Sequence, residues 1–345
     1  MRRALAAAIA LALAAPAGAA INVPNGVHVS TAVSNVPFAS NVTFDPAGGM
    51  WITSGAGAKN PSDGVWYAPR GSHTAKHVVS GLQTALGLGW HAGVLYVGYI
   101  TEATNGRISA YSGFKNGHFT SSRVVVPRLR VGRHTVDSIV GGPDGRIYAG
   151  VGSTADHSGF PGRVVSFKPN GSNIRREAVG LRNPFGLAFV PGTSRLLVTD
   201  NGRDDLGAFQ PPEELNVFDI TASPIPDFGW PGCYDQGGSA CAGKRAPLLE
   251  LPAHASSDGL AITKDWGGGG LTAFIAENGS SFSANPTGRD IRIVRLNANA
   301  TTASEHRFAS GFAQQDPLGA TIGPDGALYV TLLISGKVLR FSEPS

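Results

Sequence analysis

Short apolar segments separated by glycine-containing turns recur along the chain. The clearest copies occupy residues 44–52, 142–148 and 323–330, where a turn of Pro, Asp and Gly types leads into an apolar run. Proline presets the backbone angle φ, aspartate can bond its own backbone, and glycine takes the positive φ that such turns need. Short runs bounded by turns of this kind predict β-strands, and long amphipathic helical patterns are mostly absent.

Three weaker copies of this pattern lie at residues 90–97, 189–198 and 269–275. The six copies are mostly about 45 to 55 residues apart, and one longer gap holds both cysteines. Four short strands fit in each period, which is the blade unit of a propeller. We therefore predict an all-β six-bladed β-propeller, with residues 20–345 as a single domain, because no blade buries its faces alone. A β-sandwich with coincidental turns is the alternative.

The first nineteen residues have the pattern of a signal peptide. Arg2 and Arg3 form a basic start, residues 5–15 are apolar, and small residues follow at 17–19. The apolar run is too short to span a membrane as a helix, and no later segment is long and apolar enough. We expect export to the periplasm or the exterior, with cleavage near Ala19 and no membrane span.

Charge and cysteine usage narrow the possible functions. The formal charge of +4 includes Arg2 and Arg3, and the other Lys and Arg residues are spread along the sequence. So weak a basic footprint argues against nucleic acid as a partner. Cys233 and Cys241 lie eight positions apart in a Gly- and Ser-rich segment, which predicts a disulfide in an exported chain.

Residues 181–216 hold the densest group of chemically useful side chains. Arg182 has a planar guanidinium that suits a ligand rich in carboxylates, and Pro184 pushes Asn183 into an extended conformation. Residues 200–216 then supply five carboxylates and two asparagines, which are the hard oxygen ligands that calcium prefers. A solvated acidic loop without a metal is the alternative.

Two further candidates precede strands in other blades. His134 lies ten residues before Asp144 of a Gly-Pro-Asp-Gly turn, and an imidazole there can take a proton near neutral pH. Gln83 precedes the glycine-rich run 85–89, where its amide could donate to a ligand or cap a turn. Taken alone, each of these residues is also compatible with a purely structural role.

These residues together resemble the soluble glucose/sorbosone dehydrogenase family, whose aldose sugar dehydrogenases depend on pyrroloquinoline quinone (PQQ). The resemblance extends from about residue 36 to 341 and is firmest at His134 with the 142–145 turn and at 181–231. It implies a propeller that holds PQQ over the channel. On this resemblance His134 is the general base, and the cofactor contacts are Gln83, Arg182 and Asn183.

The same resemblance assigns calcium ligands. The carbonyl oxygens of Gly202 and Arg203 match the two positions that hold the catalytic calcium. Glu213 and Glu214 match an acidic pair that helps to bind structural calcium. The implied reaction oxidises an aldose or related sugar by hydride transfer to PQQ, with calcium and the catalytic Arg182 stabilising the developing negative charge.

Three positions depart from the family pattern. Asp316 stands where relatives carry an arginine, the basic residue expected within 278–283 is absent, and residues 332–334 replace an Asp-Asp pair. Because PQQ carries three carboxylates, each lost cation would weaken its binding by about 1–3 kcal/mol.

Three hypotheses about function follow from the sequence. The first is an exported quinoprotein dehydrogenase that acts on a small-molecule sugar and passes electrons to an acceptor that the sequence does not identify. The second is a non-catalytic propeller that binds a ligand or partner at the same rim, as the departures from the family pattern suggest. The third is a calcium-dependent lactonase, which needs carboxylate and amide ligands that converge on the central axis.

Overall fold

The computed structural model describes residues 21–55, 60–234, 239–280, 287–313 and 316–343. Within these residues, 24 β-strands form six four-stranded antiparallel sheets, and the short 3-10 turn Ser239–Cys241 is the helical element. The sheets are arranged as the blades of a propeller, so the predicted all-β, six-bladed fold is confirmed. No helix of the described residues is long and apolar enough to cross a membrane. The predicted signal peptide, residues 1–19, lies outside the described residues and stays a prediction.

Blades one to three follow the chain in order, each with its innermost strand first. Blade one consists of β2 (Ala39–Phe44), β3 (Met50–Ser54), β4 (Gly64–Ala68) and β5 (Lys76–Ser80). Blade two consists of β6 (Gly87–His91), β7 (Val94–Glu102), β8 (Asn105–Lys115) and β9 (His118–Arg130). Blade three consists of β10 (Val136–Gly141), β11 (Ile147–Val151), β12 (Gly162–Phe167) and β13 (Arg175–Leu181).

Blades four and five repeat this order, and blade six combines both ends of the chain. Blade four consists of β14 (Pro184–Phe189), β15 (Arg195–Asp200), β16 (Glu213–Asp219) and β17 (Leu249–Leu251). Blade five consists of β18 (Ser257–Thr263), β19 (Thr272–Glu277), β20 (Asp290–Leu296) and β21 (Ala303–Ala309). Blade six consists of β22 (Pro317–Ile322), β23 (Leu328–Leu332), β24 (Lys337–Ser342) and β1 (His28–Val33).

Strand β1 closes the ring by pairing antiparallel with β24, with Val33 opposite Val338. The first described strand therefore forms the outer edge of the last blade. This pairing joins the chain ends so that blade one packs against blade six, where Val33, Val36, Val42 and Tyr329 share one apolar cluster. Closure of this kind leaves only the short outer edge of each blade unpaired.

The repeated turns that predicted the fold are held by their aspartates. Asp144 accepts a hydrogen bond from the Tyr148 hydroxyl at 2.9 Å, and Asp325 accepts one from the Tyr329 hydroxyl at 3.1 Å. In blade one, Asp45 accepts a bond from the indole nitrogen of Trp51 at 3.0 Å instead. Each turn is thereby tied to the aromatic residue of the strand that follows, which explains why Asp and the aromatic residue recur together.

The predicted disulfide is present in the long connection of blade four. The Sγ atoms of Cys233 and Cys241 lie 2.05 Å apart, in the segment between β16 and β17. This connection accounts for the longer gap in the sequence repeat. It also carries Asp227, whose carboxylate accepts a bond from Lys244 at 2.6 Å and helps to tie the connection down.

Candidate functional site

A cavity of about 370 Å³ opens where the innermost strands of the blades begin. We call this cavity the mouth. Every blade contributes to its wall, through Gly55, Thr84, His134, Asn183, Asp258 and Leu318 for blades one to six respectively. A wall of mixed apolar and polar residues that come from distant parts of the chain is typical of a small-molecule site.

Most of the predicted site residues meet in the mouth. His134, Arg182, Asn183, Gly202 and Glu213 all line it, although they come from blades three and four and span 80 positions of sequence. Gln83, Arg203 and Glu214 do not line it with their side chains. The hypothesis that an imidazole, a guanidinium and the 202–203 turn share one face is therefore compatible with the structure.

His134 presents an imidazole nitrogen without a hydrogen-bond partner. Its Nε2 atom is buried and bonds to none of the residues that the structure describes. Gly152 makes room for it, since a Cβ atom there would lie 2.2 Å from the Cβ of His134. Burial lowers the pKa of His134 well below its usual value, and the nearby charges of Arg182 and Arg133 lower it further. The imidazole is therefore neutral at neutral pH and able to accept a proton.

Arg182 is buried and already engaged by groups of the protein. Its Nη2 atom donates to the carboxylates of Asp156 and, at 2.8 Å, of Asp204. Its Nε donates to the Asp156 carbonyl at 3.1 Å, and its Nη1 donates to the Asn201 carbonyl at 3.1 Å. An anionic ligand would have to replace one of these carboxylates to gain a bidentate contact with the guanidinium.

The carboxylate of Asp200 fixes the position of the Arg182 and Asn183 backbone. Its carboxylate accepts the Arg182 amide at 3.0 Å and the Asn183 amide at 2.6 Å. Burial raises the pKa of Asp200 to about 7, although these two amide bonds and the charge of Arg182 act in the opposite direction. The sequence placed Asp200 among several possible calcium ligands, whereas the structure shows it positioning the neighbouring strand.

The side chain of Glu213 holds the 202–203 turn in place. The Gly202 amide donates to Glu213 Oε2 at 2.6 Å, and the Ser256 amide donates to Oε1 at 3.1 Å. Burial raises the pKa of Glu213 to about 8. No donor among the described residues bonds to the carbonyl oxygen of Gly202 or Arg203. Those two oxygens are therefore available to a cation, while the side chain of Arg203 pairs with Asp205 at 2.8 Å.

Glu214 and Gln83 lie outside the mouth for reasons of local geometry. Glu213 and Glu214 are adjacent in β16, so their side chains point to opposite faces, and Glu214 accepts a bond from Asn216 at 3.1 Å. The two carboxylates therefore do not converge on one ion. Gln83 sits in the turn before β6, where its carbonyl accepts the Ile100 amide at 3.0 Å, and its neighbour Thr84 lines the mouth instead.

The structure adds Asp258 and Asn201, which the sequence analysis did not single out as a pair. Asn201 Nδ2 donates to Asp258 Oδ1 at 2.7 Å, and the Ser256 hydroxyl donates to Oδ2 at 2.9 Å. Burial raises the pKa of Asp258 to about 7. A signal did exist for Asp258, because Gly-Leu-Ala at 186–188 of blade four recurs at 259–261 of blade five. Aligning these two inner strands would have placed Asp258 near the same rim as Asn183.

Several buried oxygens of this region have no partner. They are Oδ1 of Asn183, Oδ1 of Asn201 and Oδ2 of Asp137, each without a hydrogen bond from the described residues. Burial, followed by the charge of Asp258, raises the pKa of Asp137 well above its usual value. Amide and carboxylate oxygens are the kinds of ligand that a hard divalent cation such as calcium prefers.

Asp316 does not bring negative charge into the mouth. It is 2% exposed, and its Oδ1 atom accepts the amides of Ile334 at 3.0 Å and Ser335 at 2.9 Å. The residue therefore caps the turn between β23 and β24. Leu333 of the same turn lines the mouth as an apolar wall. Residues 281–283, part of another departure, lie outside the described ranges.

Comparison with known proteins agrees with this architecture. The family model of the SMP-30/gluconolactonase/LRE-like region matches residues 21–201. An uncharacterized protein of Borreliella burgdorferi is 28% identical over 47% of each chain, so the match spans about half the length of that curated relative.

Solved structures share the fold along nearly the whole chain. The calcium structure of the family AA12 carbohydrate-active enzyme of Trichoderma reesei is 17% identical, with a TM-score of 0.77 over 95% of this chain and 98% of that one. The holo PQQ domain of Coprinopsis cinerea pyranose dehydrogenase is 16% identical, with a TM-score of 0.74 over 95% and 98%. PQQ-bound aldose sugar dehydrogenase of Streptomyces coelicolor is 18% identical, with a TM-score of 0.71 over 93% and 99%. The resemblance to the PQQ-dependent sugar dehydrogenases is thus confirmed in fold.

Proposed function

The chain belongs to the SMP-30/gluconolactonase/LRE-like family, and from this membership and its fold we propose that it is a calcium-assisted sugar oxidoreductase that uses PQQ. One observation carries the proposal: a neutral imidazole, an arginine–asparagine pair and Gly202, whose carbonyl has no hydrogen-bond partner among the described residues, border the same cavity. We further propose that the protein is exported, in keeping with its disulfide and its predicted signal peptide.

Calcium is the group that the residues fit best. The carbonyls of Gly202 and Arg203 would hold it, and Glu213 would keep their turn in place through the Gly202 amide. A cation here would also offset the carboxylates that surround Arg182. Because a ligand must neutralise buried charge to bind well, calcium should bind before an anionic cofactor does.

PQQ fits the mouth on one condition. Arg182 must give up its bond to a carboxylate of the protein and bond to a carboxylate of the cofactor instead. Asp204 is the more exchangeable partner by position, since it lines the mouth and its side chain is more exposed than that of Asp156. Asn183 would contact the cofactor beside Arg182. When bound, PQQ supplies the hydride-accepting quinone.

His134 would act on the substrate. Its free Nε2 atom would take the proton of the sugar hydroxyl, and the lowered pKa keeps the ring ready to do so at neutral pH. Phe185, Leu318 and Leu333 provide apolar wall that limits water near this atom. The protein thus orients the sugar and moves its proton.

Reconstitution tests this function. The purified protein is titrated with PQQ in the presence and absence of Ca²⁺ by calorimetry, and dye-linked oxidation is measured with a panel of aldoses. We expect calcium-dependent PQQ binding and oxidation of at least one aldose. Failure to bind PQQ with Ca²⁺ present would reject the dehydrogenase.

A second candidate function is a metal-dependent lactonase, favoured by the buried oxygens of Asp258, Asn201 and Asn183 near the axis. The family match points the same way. Hydrolysis of aldonolactones with Ca²⁺ and without PQQ separates the two candidates. If the lactonase is correct, Asp258→Asn abolishes hydrolysis, whereas the exposed control Asp265→Asn retains it.

A further inference from the structure

The charge of the molecule is divided unevenly between the blades. Blades two and three, residues 87–181, hold eleven Lys and Arg residues against five Asp and Glu residues, a net charge of +6. Residues 182–345 hold twelve basic and seventeen acidic residues, a net charge of −5. The small net charge of the whole chain is therefore the sum of a strongly basic region, residues 87–181, and an acidic region, residues 182–345.

The basic residues of blades two and three are not neutralised within the protein. None of the eleven forms an ion pair with a carboxylate of the described residues, whereas the basic residues of later blades form many. Where they approach one another, they repel. Burial, followed by the charges of Arg176 and Arg130, lowers the pKa of Arg163 to about 10.

The exposed arginines lie on the outer surface of blades two and three, most of them on the two outermost strands. They are Arg123, Arg128 and Arg130 on β9, Arg175 and Arg176 on β13, and Arg133 at the mouth. We call this surface the basic face. The two blades are joined there, since Arg163 Nη2 of β12 donates to the Arg130 carbonyl at 3.0 Å and Arg123 donates to the carbonyl of Pro169, in the β12–β13 turn, at 3.3 Å.

Protection of exposed strand edges against pairing does not explain why the charges of the basic face are all positive. Charged residues on an outer strand deter edge-to-edge pairing whatever their sign, and the outer strand β21 of blade five mixes Glu305 with Arg307. The basic face also exposes apolar side chains, because Val124 is 46% exposed and Ile174 is 48% exposed. Arginine mixed with exposed apolar groups is typical of a protein interface rather than of a site for a flexible polyanion.

We propose that the basic face is a docking surface for an acidic protein partner. Arg133 extends the surface to the rim of the mouth, so the partner would sit beside the functional site without filling it. The long strand β9, with 13 residues, carries three of the exposed arginines. This proposal concerns binding and does not depend on the chemistry at the mouth.

A charge-reversal experiment tests the proposal. Binding of a plant-type ferredoxin, used as an acidic protein probe, is measured by biolayer interferometry at low and high salt, with cytochrome c as a basic probe. The variant Arg128→Glu/Arg176→Glu changes two exposed residues whose side chains form no hydrogen bond or ion pair with the described residues. The matched control Lys264→Glu/Lys337→Glu changes the net charge equally on blades five and six.

We expect ferredoxin to bind the native protein, and the arginine variant to weaken its affinity by about tenfold or more, chiefly through slower association. The lysine control should change the affinity by less than about twofold, and cytochrome c should not bind. Circular dichroism confirms that both variants are folded. Absence of ferredoxin binding, or an equal loss in both variants, would overturn the proposal. Heparin binding in place of ferredoxin binding would overturn it in favour of a polyanion.

Discussion

At the scale of single residues, His134 combines a free nitrogen with a lowered pKa. The ring is held over Gly152, and its Nε2 atom has no partner among the described residues. A histidine with a purely structural role would be expected to use both nitrogens in hydrogen bonds once it is buried. The unbonded atom is therefore the strongest residue-level sign of chemistry at the mouth.

We predict that His134→Gln lowers the turnover of dye-linked sugar oxidation by about 10²- to 10⁴-fold, the usual contribution of a general base. The affinity for Ca²⁺ should stay nearly the same, because the imidazole is not one of the proposed calcium ligands. His306→Gln, on the exposed outer strand of blade five, is the control and should keep full turnover. Equal turnover in both variants would contradict the role of His134.

The buried carboxyl groups predict how stability depends on pH. In the folded protein the pKa values of Asp200, Asp258 and Glu213 are raised to about 7, 7 and 8. The native state therefore holds protons that the unfolded chain has already released, and stability falls as pH rises through this range. The lowered pKa of His134 acts in the opposite direction, but its contribution is nearly complete above pH 7.

We therefore expect the metal-free protein to melt at a lower temperature at pH 8.5 than at pH 7, as measured by calorimetry. Millimolar Ca²⁺ should recover part of the loss, because a cation stabilises the ionised carboxylates. Glu213→Gln should flatten the profile, whereas Glu250→Gln, on the outer strand of blade four, should leave it unchanged. A melting temperature that rises toward pH 8.5 without metal would refute this account.

At the scale of strands, glycines allow the inner strands to approach one another. A Cβ atom at Gly259 would lie 2.3 Å from the Leu318 carbonyl, and one at Gly186 would lie 2.4 Å from the Asp258 carbonyl. Neighbouring backbones thus touch near the axis, and this close approach brings the starts of β14, β18 and β22 to one mouth. The site depends on these contacts, since Phe185, Asp258 and Leu318, near the starts of these three strands, line it.

We predict that Gly259→Ala destabilises the protein by about 1–3 kcal/mol, because the added methyl group must push the backbone of blade six away. Gly232→Ala is the control, since its Cβ would meet its nearest neighbour at 3.8 Å, an ordinary contact. Urea unfolding measures both variants. If Gly259→Ala is as stable as the control, the blades are not in backbone contact as described.

At the scale of the whole molecule, closure by β1 makes the blades interdependent. Val33 is fully buried between blades six and one, while Thr31 on the same strand is exposed. Each apolar cluster likewise lies between two blades, as where Ile108 of blade two packs with Ile139 and Phe167 of blade three. A blade cannot bury its faces without its neighbours, so the ring should unfold as one unit.

We expect Val33→Ala to lower stability by about 1–3 kcal/mol and to shift a single unfolding transition without splitting it. Thr31→Ala should leave the transition almost unchanged. Calorimetry distinguishes the outcomes, and a separate low-temperature transition in Val33→Ala would show that blade six unfolds alone.

The local sequence pattern was enough to predict those features that depend only on residues close together in the sequence. The Asp-Gly turns, the strand period and the Cys233–Cys241 disulfide were predicted because each is set within a few residues by turn geometry or loop closure. The rim position of Arg182 and Asn183 followed for the same reason, since both immediately precede an inner strand.

Only the tertiary structure decided which groups meet across blades and which face each side chain takes. Asn201 donates a hydrogen bond to Asp258, which lies 57 positions away in the sequence. Asp316, which the sequence marked only as the loss of a cation, accepts backbone amides of a turn. Glu214 lies one position from Glu213, yet the alternation of the strand turns it to the other face. The arginines that are scattered in sequence share the basic face because the outer strand of blade two contacts blade three. Such contacts arise from the closure of the ring, which no local pattern encodes.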